Sequence, residues 1–132
     1  MIESTFLWLF IVVFMVHDFE EIITVEHWAE KRKNLLESKW AKRIWSFWNI
    51  RSNEFAKRDV VIFLFVSMLV LLRVEFTSVP VVEMGFQVFL WIVLIHNLFH
   101  LIQTCVTRTY TPGLYTAIML VTPYTLFLLI NL

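Results

Sequence analysis

Four apolar stretches, 5–28, 59–76, 80–107 and 113–132, reach or approach the roughly 20 residues that a helix needs to cross the hydrocarbon of a bilayer. Such stretches occupy most of the 132 residues, and a hydrophobic content of 59%, an aromatic content of 17% and a mean hydropathy of +0.73 lie far from those of a soluble domain. The expected fold is all-α, an integral membrane bundle of four transmembrane helices forming a single membrane domain over 1–132. The second stretch is the cleanest, with VVIFLFVSMLVLL free of charge, while the fourth contains Pro123, which should kink it or end its first half. Glu3 stands where a signal peptide would carry positive charge, so the first stretch is expected to stay in the mature protein.

Formal net charge is zero, which argues nothing about nucleic acid, but the charge is segregated: nine of the eleven Lys and Arg residues fall between Lys31 and Arg58. Against Glu30, Glu37 and Glu54 those nine leave segment 29–58 at a net +6, so the positive-inside rule puts it on the cytoplasmic side with both termini outside. Within it Trp40, Ile44 and Trp48 recur every four residues beside Trp45 and Phe47, with Lys39, Lys42 and Arg43 on other faces. That pattern predicts an amphipathic helix in the inner interface, serving as an aromatic anchor. The lone Cys105 cannot form an intramolecular disulfide and reads as a small packing residue. Arg73, Glu75 and Glu83 lie near the outer boundary and read as snorkelling or loop charges.

All four histidines, His17, His27, His96 and His100, lie in two of the apolar stretches, and the first pair brackets the doublet Glu20-Glu21. Imidazoles and carboxylates are costly in hydrocarbon, so their clustering there points to function. At about 100° per residue, His17, Glu20, Glu21, Thr24 and His27 share an arc of roughly 120° on the first helix. Leu7, Phe10, Ile11, Phe14, Phe19 and Ile22 supply its lipid and packing contacts, which turns the polar stripe inward. His96, His100, Gln103 and Thr107 form a second stripe, edged by Asn97, and the i, i+4 pair of imidazoles can bind one ion from one helical face.

Both helices run from outside to inside in this orientation. Glu20 and Glu21 lie about 15–17 residues into their segment and His96 to His100 about 16–20 residues beyond Pro80, so at roughly 1.5 Å per residue the stripes reach a common depth. Asn53 and Glu54 before the second helix and Tyr110 after the third could close the site from the cytoplasmic end. Histidine and carboxylate are ligands that divalent metals accept, and a cation offsets the cost of burying adjacent glutamates. The expected metal set is His17, Glu21, His96 and His100, with His27, Glu54, Asn97, Gln103 and Tyr110 as further candidates. The donor set suits catalytic zinc with an open position, or one or two iron or manganese ions. The bland alternative is a hydrogen-bonded ion pair that fixes helix packing.

HDFEE at 17–21, NLFH at 97–100 and RTYTPGLYTA at 108–117, in that order, resemble the HXXEE-domain family of small bacterial membrane proteins, a domain of unassigned function. The resemblance covers most of the chain and implies a cytoplasmic-membrane protein. It supports treating His17, Glu20, Glu21, His96, Asn97 and His100 as the functional set, whereas Glu54 rests on depth alone.

The expected function is that of a metal-dependent membrane enzyme acting on a lipid or other amphiphile from the inner leaflet. With a zinc-like ion the reaction is hydrolysis, with Glu20 or Glu21 as general base. With iron or manganese the same ligands support oxidation. Hydrolysis is preferred because a second metal needs more carboxylates than the sequence clearly offers. Three other readings stand beside it: a cation or proton transporter or sensor, which with four short helices would need a homo-oligomer, a structural module, and a haem site that leaves the glutamate doublet unexplained.

Overall fold

The computed structural model describes residues 3–132. It is all-helical, with no strand among the described residues. Four long helices, α1 (Ser4–Arg32), α3 (Ser52–Glu75), α4 (Pro80–Thr107) and α5 (Leu114–Asn131), pack together, and the shorter α2 (Lys39–Trp48) crosses one end.

Their boundaries follow from local chemistry. Lys31 and Arg32 close α1 where cations complement the helix dipole. The Ser38 side chain caps α2 by accepting from the Ala41 N–H at 3.0 Å. Pro80 starts α4, where its missing N–H costs nothing. Gly113, at φ 81°, starts α5. Pro123 does not end α5: the π-helical turn Ala117–Val121 precedes it, and α-helix resumes at Thr122–Asn131. A π-turn is a known way to seat a residue that cannot complete the i→i−4 ladder. The third helix also begins earlier than its apolar pattern, because Ser52 to Arg58 continue the helix as a polar turn with Glu54 at its start.

Aromatic and polar pairs give the directions. Phe10 meets Phe89, His17 meets His96, and Glu21 meets His100, a constant offset that makes α1 and α4 parallel. Glu26 accepts from the Ser52 N–H, and further along Asp18 approaches Asp59, so α3 runs antiparallel to α1. Phe6 packs on Phe127, Phe10 on Tyr124 and Glu20 on Thr116, so α5 is antiparallel as well.

Two apolar cores result. One joins Leu7, Phe10 and Phe14 to Val66, Val70, Leu90, Val121 and Leu128. The other joins Val25, Trp28 and Ala29 to Ala41, Trp48 and Phe55. The polar residues of α1 and α4 lie in the layer between them.

The outward faces of α3, α4 and α5 expose Val61, Leu64, Trp91, Ile95, Met119 and Ile130, as lipid-facing surfaces do. By length and composition α4 and α5 can cross a membrane. In α1, Asp18, Glu20 and Glu21 interrupt the apolar run, and α3 carries Arg58, Asp59, Arg73 and Glu75 towards its ends.

Several outer-shell expectations change. Arg73 is buried rather than snorkelling, with its guanidinium 3.9 Å from Glu83 and 3.5 Å from the Thr77 carbonyl. Cys105 is exposed rather than packed. On α2 the inward face is Ala41, Ile44, Trp45 and Trp48, while Trp40 points out, so the face rotates away from the stripe led by Trp40. Trp45 donates to the Ala29 carbonyl at 2.7 Å, which ties α2 to the end of α1.

Candidate metal centre

A helix advances about 100° per residue, so relative to His17 the side chain of Glu21 lies roughly 40° to one side and that of Glu20 roughly 60° to the other. The two glutamates of the doublet therefore serve different partners. Glu20 turns to α5. Its carboxylate accepts from the Thr116 N–H at 2.7 Å, the Thr116 hydroxyl at 2.6 Å, the Tyr115 N–H at 3.2 Å and the Tyr110 hydroxyl at 2.6 Å. The Tyr115 and Thr116 N–H groups are first-turn donors of α5, so Glu20 caps that helix from a neighbouring one, while Tyr110 reaches it from the preceding loop. Burial, with the Glu20 carboxylate as hydrogen-bond acceptor, holds the Tyr110 phenol well above its ordinary value and keeps it a donor.

Glu21 turns the other way, into a cluster. Donor atoms of His17, Glu21, His96 and His100 all lie within 4.8 Å of one another. The His100 Nε2 is 3.0 Å from the His96 Nε2 and 3.3 Å from the Glu21 Oε1, and the His17 Nε2 is 3.8 Å from that same oxygen. Four ligands around a tetrahedral ion at 2.0–2.1 Å stand roughly 3.3 Å apart, so this spacing is already close to that of a coordination shell. His17, Glu21 and His100 are buried, and His96 opens onto a groove. The His17 Nε2 and Glu21 Oε1 are shut off from solvent without a hydrogen-bond partner.

Thr116 settles which His17 nitrogen can accept a ligand. Its hydroxyl has one proton, which goes to the Glu20 carboxylate, so at 2.8 Å from the His17 Nδ1 it can only accept. Nδ1 then carries the imidazole proton and Nε2 presents a lone pair to Glu21 and His100. A partner that fixes the tautomer of a ligating histidine is the usual outer support of a metal site.

Two surroundings matter. Gly113 forms one wall: a Cβ there would lie 2.8 Å from the Glu21 Cγ and 2.9 Å from both the Glu21 Oε1 and the His100 Cε1. The Pro112-Gly113 turn therefore does more than start a helix. On another side a groove of about 280 Å³ runs between α1, α3 and α4, walled by Phe14, Ile62, Phe65, Val66, Phe89 and Ile92 and ending on Glu21, His96, Asp18, Asp59 and Arg58.

The other candidates lie elsewhere. Glu54 is exposed and paired with the Lys57 Nζ at 2.9 Å, because the polar first turn of α3 points it to solvent, and Asn53 is exposed beside it. His27 is exposed, because it lies on the outer face of α1, away from Val25, Trp28 and Ala29, which pack into the second core. Asn97 is buried, but its Nδ2 donates to the Thr122 hydroxyl at 2.9 Å and braces α5. Gln103 accepts from the Trp48 Nε1 at 2.9 Å, which holds the indole ring 6.0 Å from the His100 ring, so Trp48 walls the site rather than anchoring in lipid. Tyr110 acts on Glu20 and not on the cluster. Glu20, whose oxygens are taken by the donors of α5 and Tyr110, is poorly placed as the general base.

Sequence reasoning passed over Asp18 and Asp59. Both are buried, and their oxygens lie within 4.8 Å of Glu21 and of each other. Asp18 is one helical turn from Glu21, on the side away from Glu20, and that spacing was the available signal.

No curated protein and no solved structure matches the chain. The family model described as "Protein of unknown function with HXXEE motif" matches residues 8–128, nearly the whole length, with His17, Glu20 and Glu21 at the motif's named positions. The chain belongs to the HXXEE family.

Proposed function

We propose that this protein is a metal-dependent integral membrane hydrolase acting on a lipid or similarly amphiphilic substrate. The observation that carries the reading is the convergence of His17, Glu21, His96 and His100, with an orphaned imidazole lone pair and an orphaned carboxylate oxygen facing one another. Buried polar atoms without partners are costly, and a divalent cation bound among them removes that cost. A zinc-like ion there would polarise the bond under attack and activate water. Glu21, standing among the ligands, would lie beside that water and orient it, while Glu20 and Thr116 hold His17.

The substrate class follows from the groove. Its walls are almost wholly apolar, and its inner end carries the candidate ligands, so an acyl chain would lie along Phe65 and Ile92 with its polar group towards His96. In this reading all four long helices cross the cytoplasmic membrane, with α2 and the basic segment on the inner side. The acids of α1 face the bundle interior, where such groups are tolerated.

Elemental analysis of untagged protein in detergent tests the reading. Bound zinc, iron or manganese in the wild type, lost in Glu21→Gln and His100→Ala, is the expected result. A wild type without metal, or metal that survives both substitutions, overturns it. Oxidation by iron or manganese is the second reading, favoured by Asp18 and Asp59, which add oxygen donors beside Glu21. The metal found and turnover of membrane lipids with and without a reductant separate the two.

A further inference from the structure

Resting on that metal reading, we propose that Asp18, Asp59 and Glu21 hold a second divalent cation beside the first, with Glu21 as the shared carboxylate, so that the centre is dinuclear. Asp18 and Glu21 stand on one face of α1, roughly 60° apart, and Asp59 comes from the antiparallel α3, so two helices contribute to the second position as α1 and α4 do to the first. Oxygens of all three lie within 4.8 Å of one another, and the three side chains are only 4–7% exposed. The Asp59 Oδ2 has no hydrogen-bond partner and no solvent contact, and the Glu21 Oε1 is in the same condition.

Three buried acids can also be held by sharing protons, but that requires hydrogen bonds between them, and none joins Asp18, Glu21 and Asp59 among the described residues. The local counter-charge is Arg58. Its Nε and Nη2 both lie 3.4 Å from the Asp59 Oδ1, the long limit of such contacts, and the guanidinium stacks 4.0 Å over Phe55 with its side chain 41% exposed. Its hydrogen bonds reach one oxygen of one acid, the Glu21 Oε1 and the Asp59 Oδ2 are left without a partner, and its single positive charge stands against three carboxylates. The two donor sets together offer three imidazoles and three carboxylates, a hard, oxygen-rich complement of the kind that holds paired ions about 3.5–4 Å apart.

The test is metal stoichiometry on full-length, untagged protein in detergent, loaded with Mn2+ or Zn2+ and freed of excess. Two equivalents per chain are expected, falling to one in Asp18→Asn and in Asp59→Asn. Electron paramagnetic resonance of the Mn2+-loaded wild type needs no variant and should show exchange coupling between neighbouring ions. One equivalent, an uncoupled Mn2+ signal, or two equivalents that survive both aspartate substitutions overturns the dinuclear centre and leaves the histidine site standing. No bound metal at all removes both.

Discussion

The position of one hydroxyl proton decides how His17 works. Thr116 donates to Glu20 and accepts from the His17 Nδ1, which leaves Nε2 free for an ion. Thr116→Val breaks both contacts without changing shape, so metal affinity measured by chelator competition should fall by about 10–100-fold, the usual effect of losing an outer-shell partner, with Thr116→Ser close to wild type. Glu20→Gln should separate from Glu21→Gln in the opposite sense. Removing the charge that several α5 donors share should lower unfolding stability in detergent by about 1–3 kcal/mol while metal stoichiometry stays at the wild-type value. Binding should also weaken in acid, because protons compete with the ion for the imidazole nitrogens and the carboxylate, and recover on neutralisation. The four donors were legible because histidine and glutamate in apolar helices are rare and their i, i+4 spacing marks a shared face. The division of labour inside the doublet was not, because 100° per residue separates neighbours only once the flanking helices are in place. Asp18 was hidden for a related reason: it lies inside the motif and reads as filler until α3 brings Asp59 against it.

At the level of elements, the site depends on how closely the α4–α5 turn can press on α1. Gly113 adopts φ 81°, and a Cβ would come within 2.8–2.9 Å of Glu21 and His100. Gly113→Ala should therefore cost about 1–3 kcal/mol through backbone strain and also push two of the proposed ligands apart, so on the metal reading the variant should lose metal even under conditions where it remains folded. Circular dichroism melts together with metal content check both halves of this. The helices themselves were readable from apolar run length, the parallel course of α1 and α4 from the alternation of the stretches, and the shared level of their polar residues from counting along each. Their ends were less so. Ser52 to Arg58 look like a charged loop because no apolar period runs through them, yet they form the first turns of α3, whose Ser52 N–H is satisfied by Glu26 of α1. Pro123 signals a break, but the chain absorbs it in a π-turn, which lets the two halves of α5 bring Thr116 to Glu20 and Thr122 to Asn97 at once.

For the whole molecule, the placement of charge leads to a prediction of sidedness. The start of α1, the α3–α4 turn and the end of α5 gather at one end, where Phe6 meets Phe127 and Arg73 approaches Glu83, while α2 and the basic residues cover the other. Lysine and arginine are retained on the cytoplasmic side of short connections, so the α2 end should face inward. This can be measured by cysteine accessibility in a Cys105→Ala background, since Cys105 is itself exposed. Asn49 and Ser78 are exposed at opposite ends of the bundle and carry no contact with the site. Ser78→Cys should react with a membrane-impermeant maleimide in intact spheroplasts, and Asn49→Cys only after the membrane is opened. Labelling of both positions from outside would mean that α3 does not cross. Reversed labelling would keep the bundle and the proposed metal site but turn the polar end of the groove, at Arg58, towards the outer leaflet, so lipids of that leaflet would be the substrates to assay.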